Sequence, residues 1–271
     1  MKVNSYTSSW KVGIVVFSAM LLPGIGHAET EGGDSIAELS TKIQDPLAKI
    51  ISVPLFFNTY TDIGGTGDSN HALLVQPIIP FDFGSDTWYG ITRAIIPVLD
   101  AKVPNASSGL GDITLNVIFV RNLSKSLRIG FGPLFQLPTH TDADLGVDRW
   151  GAGLSGGAVL TKGRWVTGGL LTQLWDVAGK DGSINEFTFQ PIINYDFGEK
   201  GGWIFTSTPL ITASWDESSS DQWDIPVGGG VSKIFKFGKM PVALSPQAYY
   251  HIEGAPKWEV RFMVRLLLPH W

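Results

Sequence analysis

The fold class is decided by the stretch LLVQPIIPFDFG at Leu73–Gly84, which returns 114 residues later as FTFQPIINYDFG at Phe187–Gly198. In both copies every second residue is apolar, and polar residues occupy most of the positions between them. A period of two predicts a β-strand with one apolar face and one more polar face. Because the apolar face carries Phe, Tyr and Pro rather than the compact aliphatic residues of a soluble core, we expect it to contact lipid.

The amino terminus predicts export. Lys2 and Lys11 precede the apolar run Val12–Leu22, and the segment Gly26–Ala28 supplies small residues at the expected cleavage positions. We therefore interpret residues 1–28 as a signal peptide, which leaves about 243 residues in the mature chain. The apolar run is shorter than the roughly 20 residues that a transmembrane helix needs, so a membrane location would require strands. Residues 29–47 precede the first strand and are expected to be either a periplasmic leader or a short plug segment.

The composition excludes several classes of protein. The chain has no cysteine, so it can form neither a disulfide scaffold nor a thiol site. Without the signal peptide, 18 basic and 25 acidic residues give a net charge of 18 − 25 = −7, which makes a nucleic acid an unexpected partner. Glycine is abundant, with 32 of 271 residues, as expected where strands bend and pack closely.

From residue 48 onward the alternating pattern predicts an all-β transmembrane antiparallel β-barrel, spanning 48–271, with twelve strands. The runs with strand character are Ile51–Tyr60, Ala72–Phe83, Trp88–Pro97, Asp112–Val120, Ser126–Gln136, Trp150–Leu160, Trp165–Trp175, Phe187–Phe197, Trp203–Trp215, Trp223–Ile234, Pro241–Tyr250 and Trp258–Leu268. An even number is typical of bacterial outer-membrane barrels. Further similarity, between GDITLNVIFV near Gly111 and WDIPVGGGVSKIF near Trp223, predicts two related halves of six strands each.

The connections between these runs alternate in length. The odd-numbered ones, such as LPTHTDADLGVDR, are mostly long, and the even-numbered ones, such as TKGR, are short. Outer-membrane barrels show this alternation because their extracellular loops are long and their periplasmic turns are short. A soluble β-sandwich is the alternative, but nothing in that fold sorts its loops in this way.

Several collinear motifs resemble one known family. They are QPIIPFDFG, WYGITRAIIPVL, GLGDI, WGAGLSGGAVL and the carboxy-terminal stretch from DQWDIPVGGG to RLLLP. The chain resembles, over Ile43–Pro269, the bacterial outer-membrane family mislabelled "neuromedin U" and grouped with proteins of the phenol meta-degradation pathway. The resemblance implies an outer-membrane transporter or channel and brings no catalytic residue with it. The chain departs from the pattern at its end, where Trp271 lies beyond the last alternating residue, Leu268.

Strand parity predicts which side chains line the interior, because a charge on the lipid face near the midplane costs roughly 2–4 kcal/mol. The polar candidates for lining the pore are Arg93, Asp112, Asn116, Arg128, Gln136, Gln190, Asn194, Asp224, Glu259, Arg261 and Arg265. Arg93 shares its parity with Ile91 and Ile95, which a β-bulge would reconcile. The apolar candidates are Leu74, Ile78, Ile192, Met263 and Leu267.

Two interpretations of this interior remain open. Opposed arginines and carboxylates would form a constriction that selects solutes by charge and size, or they would form ion pairs that only brace the barrel. By the repeat alignment, strand six places Gly151, Gly153, Ser155 and Gly157 opposite the arginines of the last strand. Glycine there would leave room for those arginines or for a solute that passes between the two walls.

The leading functional hypothesis is a channel or transporter for small solutes, including small aromatic or amphipathic molecules. The alternative is a structural or surface-interaction barrel with a plugged lumen. No spacing of residues indicates a zinc site, a nucleotide loop or a catalytic serine, so we expect neither an enzyme of the phospholipase type nor a cofactor or metal. The expected partners are membrane lipid, lipopolysaccharide near the acidic loops, the barrel-assembly machinery and small solutes. The sequence places the protein in the outer membrane of a Gram-negative bacterium.

Overall fold

The computed structural model describes residues 36–85, 87–180, 182–198, 202–219, 221–237 and 240–268. The predicted signal peptide, residues 29–35 of the predicted leader and the terminal Trp271 lie outside the described residues. No helix in these ranges is long and apolar enough to cross a membrane.

One helix, α1 (Ile36–Gln44), precedes all the strands. The wall consists of twelve spanning strands, of which β2, β4 and β9 are each divided into two pieces. They are β1 (Ser52–Thr61), β2 (Ser69–Val75 and Ile78–Phe81), β3 (Trp88–Ala101), β4 (Ser107–Leu110 and Ile113–Asn122), β5 (Leu127–Leu137), β6 (Arg149–Lys162), β7 (Trp165–Gly179), β8 (Asn185–Asp196), β9 (Trp203–Ser207 and Ile211–Ser214), β10 (Trp223–Phe237), β11 (Met240–Glu253) and β12 (Trp258–Leu267). Short 3₁₀ turns lie in two of the long connections, at Ile63–Gly65 and Ala143–Leu145.

Each strand pairs with the next in antiparallel orientation, and β12 pairs with β1 from Ser52–Leu267 to Thr61–Trp258. The sheet is therefore closed, which leaves no unpaired edge. This confirms the predicted all-β, twelve-stranded antiparallel barrel. The long connections gather at one rim, called here the long-loop end, and the short connections at the other, called the short-turn end.

The two faces of the wall differ as the period of two predicts. On β12, Val260 and Phe262 are 51% and 42% exposed, whereas Glu259 and Arg261 are 2% and 6% exposed. The pairing of β3 with β4 runs in unbroken register past Arg93, so the expected bulge is not present. The interior instead accommodates Ile91 and Arg93 on the same face.

Aromatic side chains form a girdle near each rim of the outer face. Trp165 packs on Tyr195 at the short-turn end with ring centroids 4.7 Å apart, and Tyr250 packs on Trp258 at the long-loop end at 5.1 Å. On β7 the girdles are separated by 175 − 165 = 10 residues, from Trp165 to Trp175. At about 3.3 Å per residue and a tilt of about 40°, this separation corresponds to a height of about 25 Å, the thickness of an outer-membrane apolar band.

The helix α1 packs inside the closed wall at the short-turn end. Leu39 and Ile43 contact a cluster of inward-facing residues from four strands, namely Ile204, Ile234, Ala243 and Leu267. Beyond the helix, Leu47 is fully buried in a second apolar cluster, which includes Tyr89, Ile91, Ile118, Leu170 and Ile192. Apolar burial therefore holds this segment against both sides of the lumen.

Candidate functional site: the barrel lumen

The carboxy-terminal end of α1 is held by polar side chains from the wall. The last carbonyl groups of a helix have no partner within the helix, and a cation beside them is favoured by the helix dipole. Arg265 donates a hydrogen bond to the carbonyl of Ile43, and Asn194 donates from Nδ2 to the carbonyl of Gln44 at 3.2 Å. The two predicted pore residues therefore bind the backbone of α1.

A second set of polar contacts holds the segment that follows α1. The hydroxyl of Tyr89 donates to the carbonyl of Leu47, and Asp45 forms an ion pair with Arg128. The Asp45 carboxylate also accepts a hydrogen bond from the Leu47 amide at 2.8 Å. Burial raises the pKa of the Asp45 carboxyl above its ordinary value, and the positive charge of Arg128 acts in the opposite direction. Ser40, which lies in α1, donates a hydrogen bond from its hydroxyl to the carboxylate of Asp196 on β8.

At the long-loop end, Arg261 braces the wall. Its Nη2 and Nε lie 2.8 Å and 2.9 Å from Oε1 of Glu259, and both side chains are buried. Arg261 also donates to the carbonyl of Thr208 at 3.2 Å, and the Thr208 amide donates to the hydroxyl of Tyr249 at 3.2 Å. Thr208 lies in the interruption of β9, where the backbone has lost its strand partner. The side chains of Arg261 and Tyr249 provide hydrogen-bond partners for that backbone.

Asp112, predicted to line the mouth, anchors a loop instead. Its carboxylate accepts hydrogen bonds from the amides of Thr139 at 3.1 Å, His140 at 3.2 Å and Val147 at 2.8 Å. Gln136 contributes a longer contact at 3.4 Å. The connection between β5 and β6 is thereby folded over the rim, and its buried residue Leu145 packs on Ala72 and Leu99 of the inner wall.

Each half of the barrel places an imidazole between two carboxylates at this rim. His140 Nδ1 lies 2.7 Å from Asp112, and its Nε2 lies 3.4 Å from Asp148. In the second half, His251 Nδ1 contacts Asp224, and its Nε2 lies 4.0 Å from Glu259. Neither predicted aspartate is therefore a free charge at the mouth.

Arg93 differs from the other inward arginines because, across the described ranges, its guanidinium forms neither an ion pair nor a hydrogen bond. Its Nε is buried without a partner, as is the Nε of Arg265, but Arg265 donates through Nη1 to the backbone of α1. Beside Arg93 on β4 lies Asn116, 2% exposed, whose Oδ1 accepts a hydrogen bond from Ser155 Oγ at 2.9 Å. A cavity of about 10 Å³, enough for about one water molecule, is lined by Leu47, Arg93, Asn116, Ile118, Ser155 and Leu170.

The remaining predicted residues differ in their surroundings. Gln190 is half-buried on β8 and, among the described residues, its side chain makes no hydrogen bond. The predicted inward glycines of β6 lie close to the neighbouring strand β7, and Gly157 also lines the cavity beside Arg93. A Cβ on Gly153 would lie 2.0 Å from the carbonyl oxygen of Gln173, and one on Gly157 would lie 2.5 Å from the side chain of Leu170. These glycines allow β6 and β7 to approach closely.

Sequence reasoning identified Asn194, Arg265 and Asp112 as inward residues but missed other residues that hold α1 and the segment after it. Tyr89 and Asp45 contact partners 42 and 83 residues away in the chain, so strand parity carries no signal for them. Neither His140 nor His251 is among the predicted pore-lining residues, yet each lies between two carboxylates at the long-loop end. The described residues contain no group of three or more His, Asp or Glu side chains placed to hold a metal ion.

Comparison with known proteins gives one structural neighbour of interest. No family model and no curated protein matches the sequence. The fold is similar to the crystal structure of an outer membrane channel from Pseudomonas putida F1, with a TM-score of 0.59 and 15% sequence identity. The match covers 82% of this chain and 97% of the channel. The chain thus shares the fold of that outer membrane channel.

Proposed function

We propose that this protein is an outer-membrane channel for small solutes whose lumen is occluded by α1 and residues 45–48. The observation that carries the proposal is the way in which the lumen is filled. The segment that fills it is not part of the barrel wall, and it is held inside the lumen by apolar packing and by side-chain contacts from Tyr89, Arg128, Asn194 and Arg265. Contacts of this kind can be released without breaking any strand pairing.

The outer face supports a location in the outer membrane of a Gram-negative bacterium. An apolar band bounded by two aromatic girdles matches the thickness of that membrane, and the fold is shared with an outer membrane channel. Membrane lipid, lipopolysaccharide and the barrel-assembly machinery follow as partners of such a barrel. We also propose membership of the family mislabelled "neuromedin U", on the motifs quoted above.

The apolar cluster around Leu47 supports small aromatic or amphipathic molecules as the solutes. Once Leu47 is withdrawn, the remaining surface would be lined by residues such as Ile91, Ile118, Leu170 and Ile192. An apolar lining with a few polar groups is typical of sites for small organic molecules. We propose a non-catalytic role, which an assay of phospholipid hydrolysis with calcium present would test.

The alternative is a structural barrel that transports nothing. It would follow if α1 never leaves its docked position in the lumen. Uptake into proteoliposomes of charged, neutral and aromatic solutes separates the two functions. We expect flux of small aromatic solutes, and a larger flux in a variant lacking residues 36–44. No flux of any solute through either folded variant would eliminate the channel.

A further inference from the structure

The inward arginines separate into those that have a counter-charge or a backbone partner and one that has neither. Arg261 pairs with Glu259, Arg128 pairs with Asp45, and Arg265 donates to the carbonyl of Ile43. Arg93 has none of these contacts within the described residues, and its Nε is buried without a partner. An unpaired charge among apolar side chains is costly, and charges inside membrane proteins commonly mark a site for a ligand.

The surroundings of Arg93 are built to supply hydrogen-bond donors and no negative charge. Ser155 Oγ lies 2.9 Å from Oδ1 of Asn116 and 3.1 Å from the carbonyl oxygen of Gly132, and its one proton is shared between these two acceptors. With Oδ1 engaged in this way, Nδ2 of Asn116 is the part of that amide left to donate, and no described residue accepts from it. Asn116 is also the direct cross-strand neighbour of Arg93.

The rest of the cavity lining is mostly apolar, with Thr172 as one further polar residue. Ile78 is the cross-strand neighbour of Arg93 on β2, and Ile91 lies two residues before it on the same face. The apolar part of the lining consists of Leu47, Ile118, Leu170 and Leu171, with Gly156 and Gly157 beside them. A guanidinium and an amide donor therefore lie at the edge of an apolar pocket that Leu47 fills. This combination is complementary to a molecule with a carboxylate at one end and an apolar body.

We propose that Arg93, with Asn116, binds the carboxylate of a small apolar acid in the centre of the barrel, in the space that Leu47 occupies when α1 is docked. The proposal rests on the channel function and specifies its solutes as organic monoacids. The ligand and Leu47 compete for one apolar pocket, so binding of the acid favours the undocked segment.

Ligand binding to the detergent-solubilised full chain tests this site without requiring transport. The probes are 4-fluorobenzoate and its neutral analogue 4-fluorobenzamide, followed by fluorine NMR. The Leu47→Ala variant enlarges the pocket, and we expect it to bind the benzoate about 10- to 100-fold more tightly than the benzamide, the range for charge-assisted hydrogen bonds. Adding Arg93→Gln should abolish that preference while binding of the benzamide remains.

Two further variants keep the result interpretable. Arg121→Gln removes one positive charge from an exposed residue at the short-turn end, and it should leave the preference unchanged. Arg93→Lys keeps the charge but loses the planar fork, so it should retain an intermediate preference. Equal affinity for the two probes, no binding of either probe to Leu47→Ala, or a preference that survives Arg93→Gln would overturn the proposal. Binding that follows Arg93 in a barrel without flux would retain this site and reject the channel.

Discussion

Replacing Leu47 by alanine should release the segment that occludes the lumen. Leu47 is fully buried in a cluster with nine other residues, and Leu→Ala in such a core costs about 2–5 kcal/mol. This loss weakens the docked state of α1 relative to the undocked state, in which Leu47 makes no such contacts. At about 1.4 kcal/mol per factor of ten, the ratio of docked to undocked segment should fall by between about 30-fold and about 4,000-fold.

Single-channel recording in planar bilayers measures this change as the fraction of time in the open state. The matched control is Leu154→Ala on β6, the same substitution at a side chain that is 63% exposed on the outer face of the barrel. We expect Leu47→Ala to open at least about ten times more often than wild type, and Leu154→Ala to behave as wild type. Equal open fractions in both folded variants would refute the reasoning that packing of Leu47 keeps the lumen closed.

Three further predictions concern stability. Asp112→Ala should raise amide hydrogen exchange at Thr139 and Val147, because their carboxylate acceptor is lost. Asp68→Ala, at an exposed residue, should not raise it. Unchanged exchange in Asp112→Ala would contradict the role of Asp112 as the anchor of this loop. Arg261→Met should lower the free energy of unfolding by about 3–5 kcal/mol, since Glu259 is left buried without its guanidinium partner. Adding Glu259→Gln should recover part of that loss in denaturant titrations. Gly153→Ala should lower the midpoint of thermal unfolding. Gly156→Ala should not, because the nearest atom lies 3.8 Å from the new Cβ. Equal midpoints in the two variants would refute the close approach of β6 and β7.

The wall of this barrel could be predicted from the sequence because strand pairing follows a local rule. A period of two assigns each side chain to one face, so the strand count and the burial of Glu259 and Arg261 follow from residues a few positions apart. The partners of the inward charges could not be predicted in this way. Arg265 contacts a carbonyl 222 residues away, and Asp112 contacts a loop whose path depends on its own packing.

Arg93 shows what the alternating pattern can predict and what it cannot. Its charge marked it as an inward residue, and the pattern of Ile91 and Ile95 argued against that placement unless the strand bulged. The structure resolves the conflict without a bulge, because the interior beside Leu47 is itself largely apolar. An interior with both apolar and charged residues blurs the contrast between faces on which parity reasoning depends.

The link between α1 and the wall is short, and this determines the kinetic order with which α1 returns to the lumen. Seven residues, 45–51, join the end of the helix to the start of β1, so the tether reaches at most about 24 Å when fully extended. A helix on such a short tether stays near its own docking site at a high effective concentration. The return of α1 to its docked position is a first-order event. The mean open time of the channel should therefore not change with the number of barrels in the membrane.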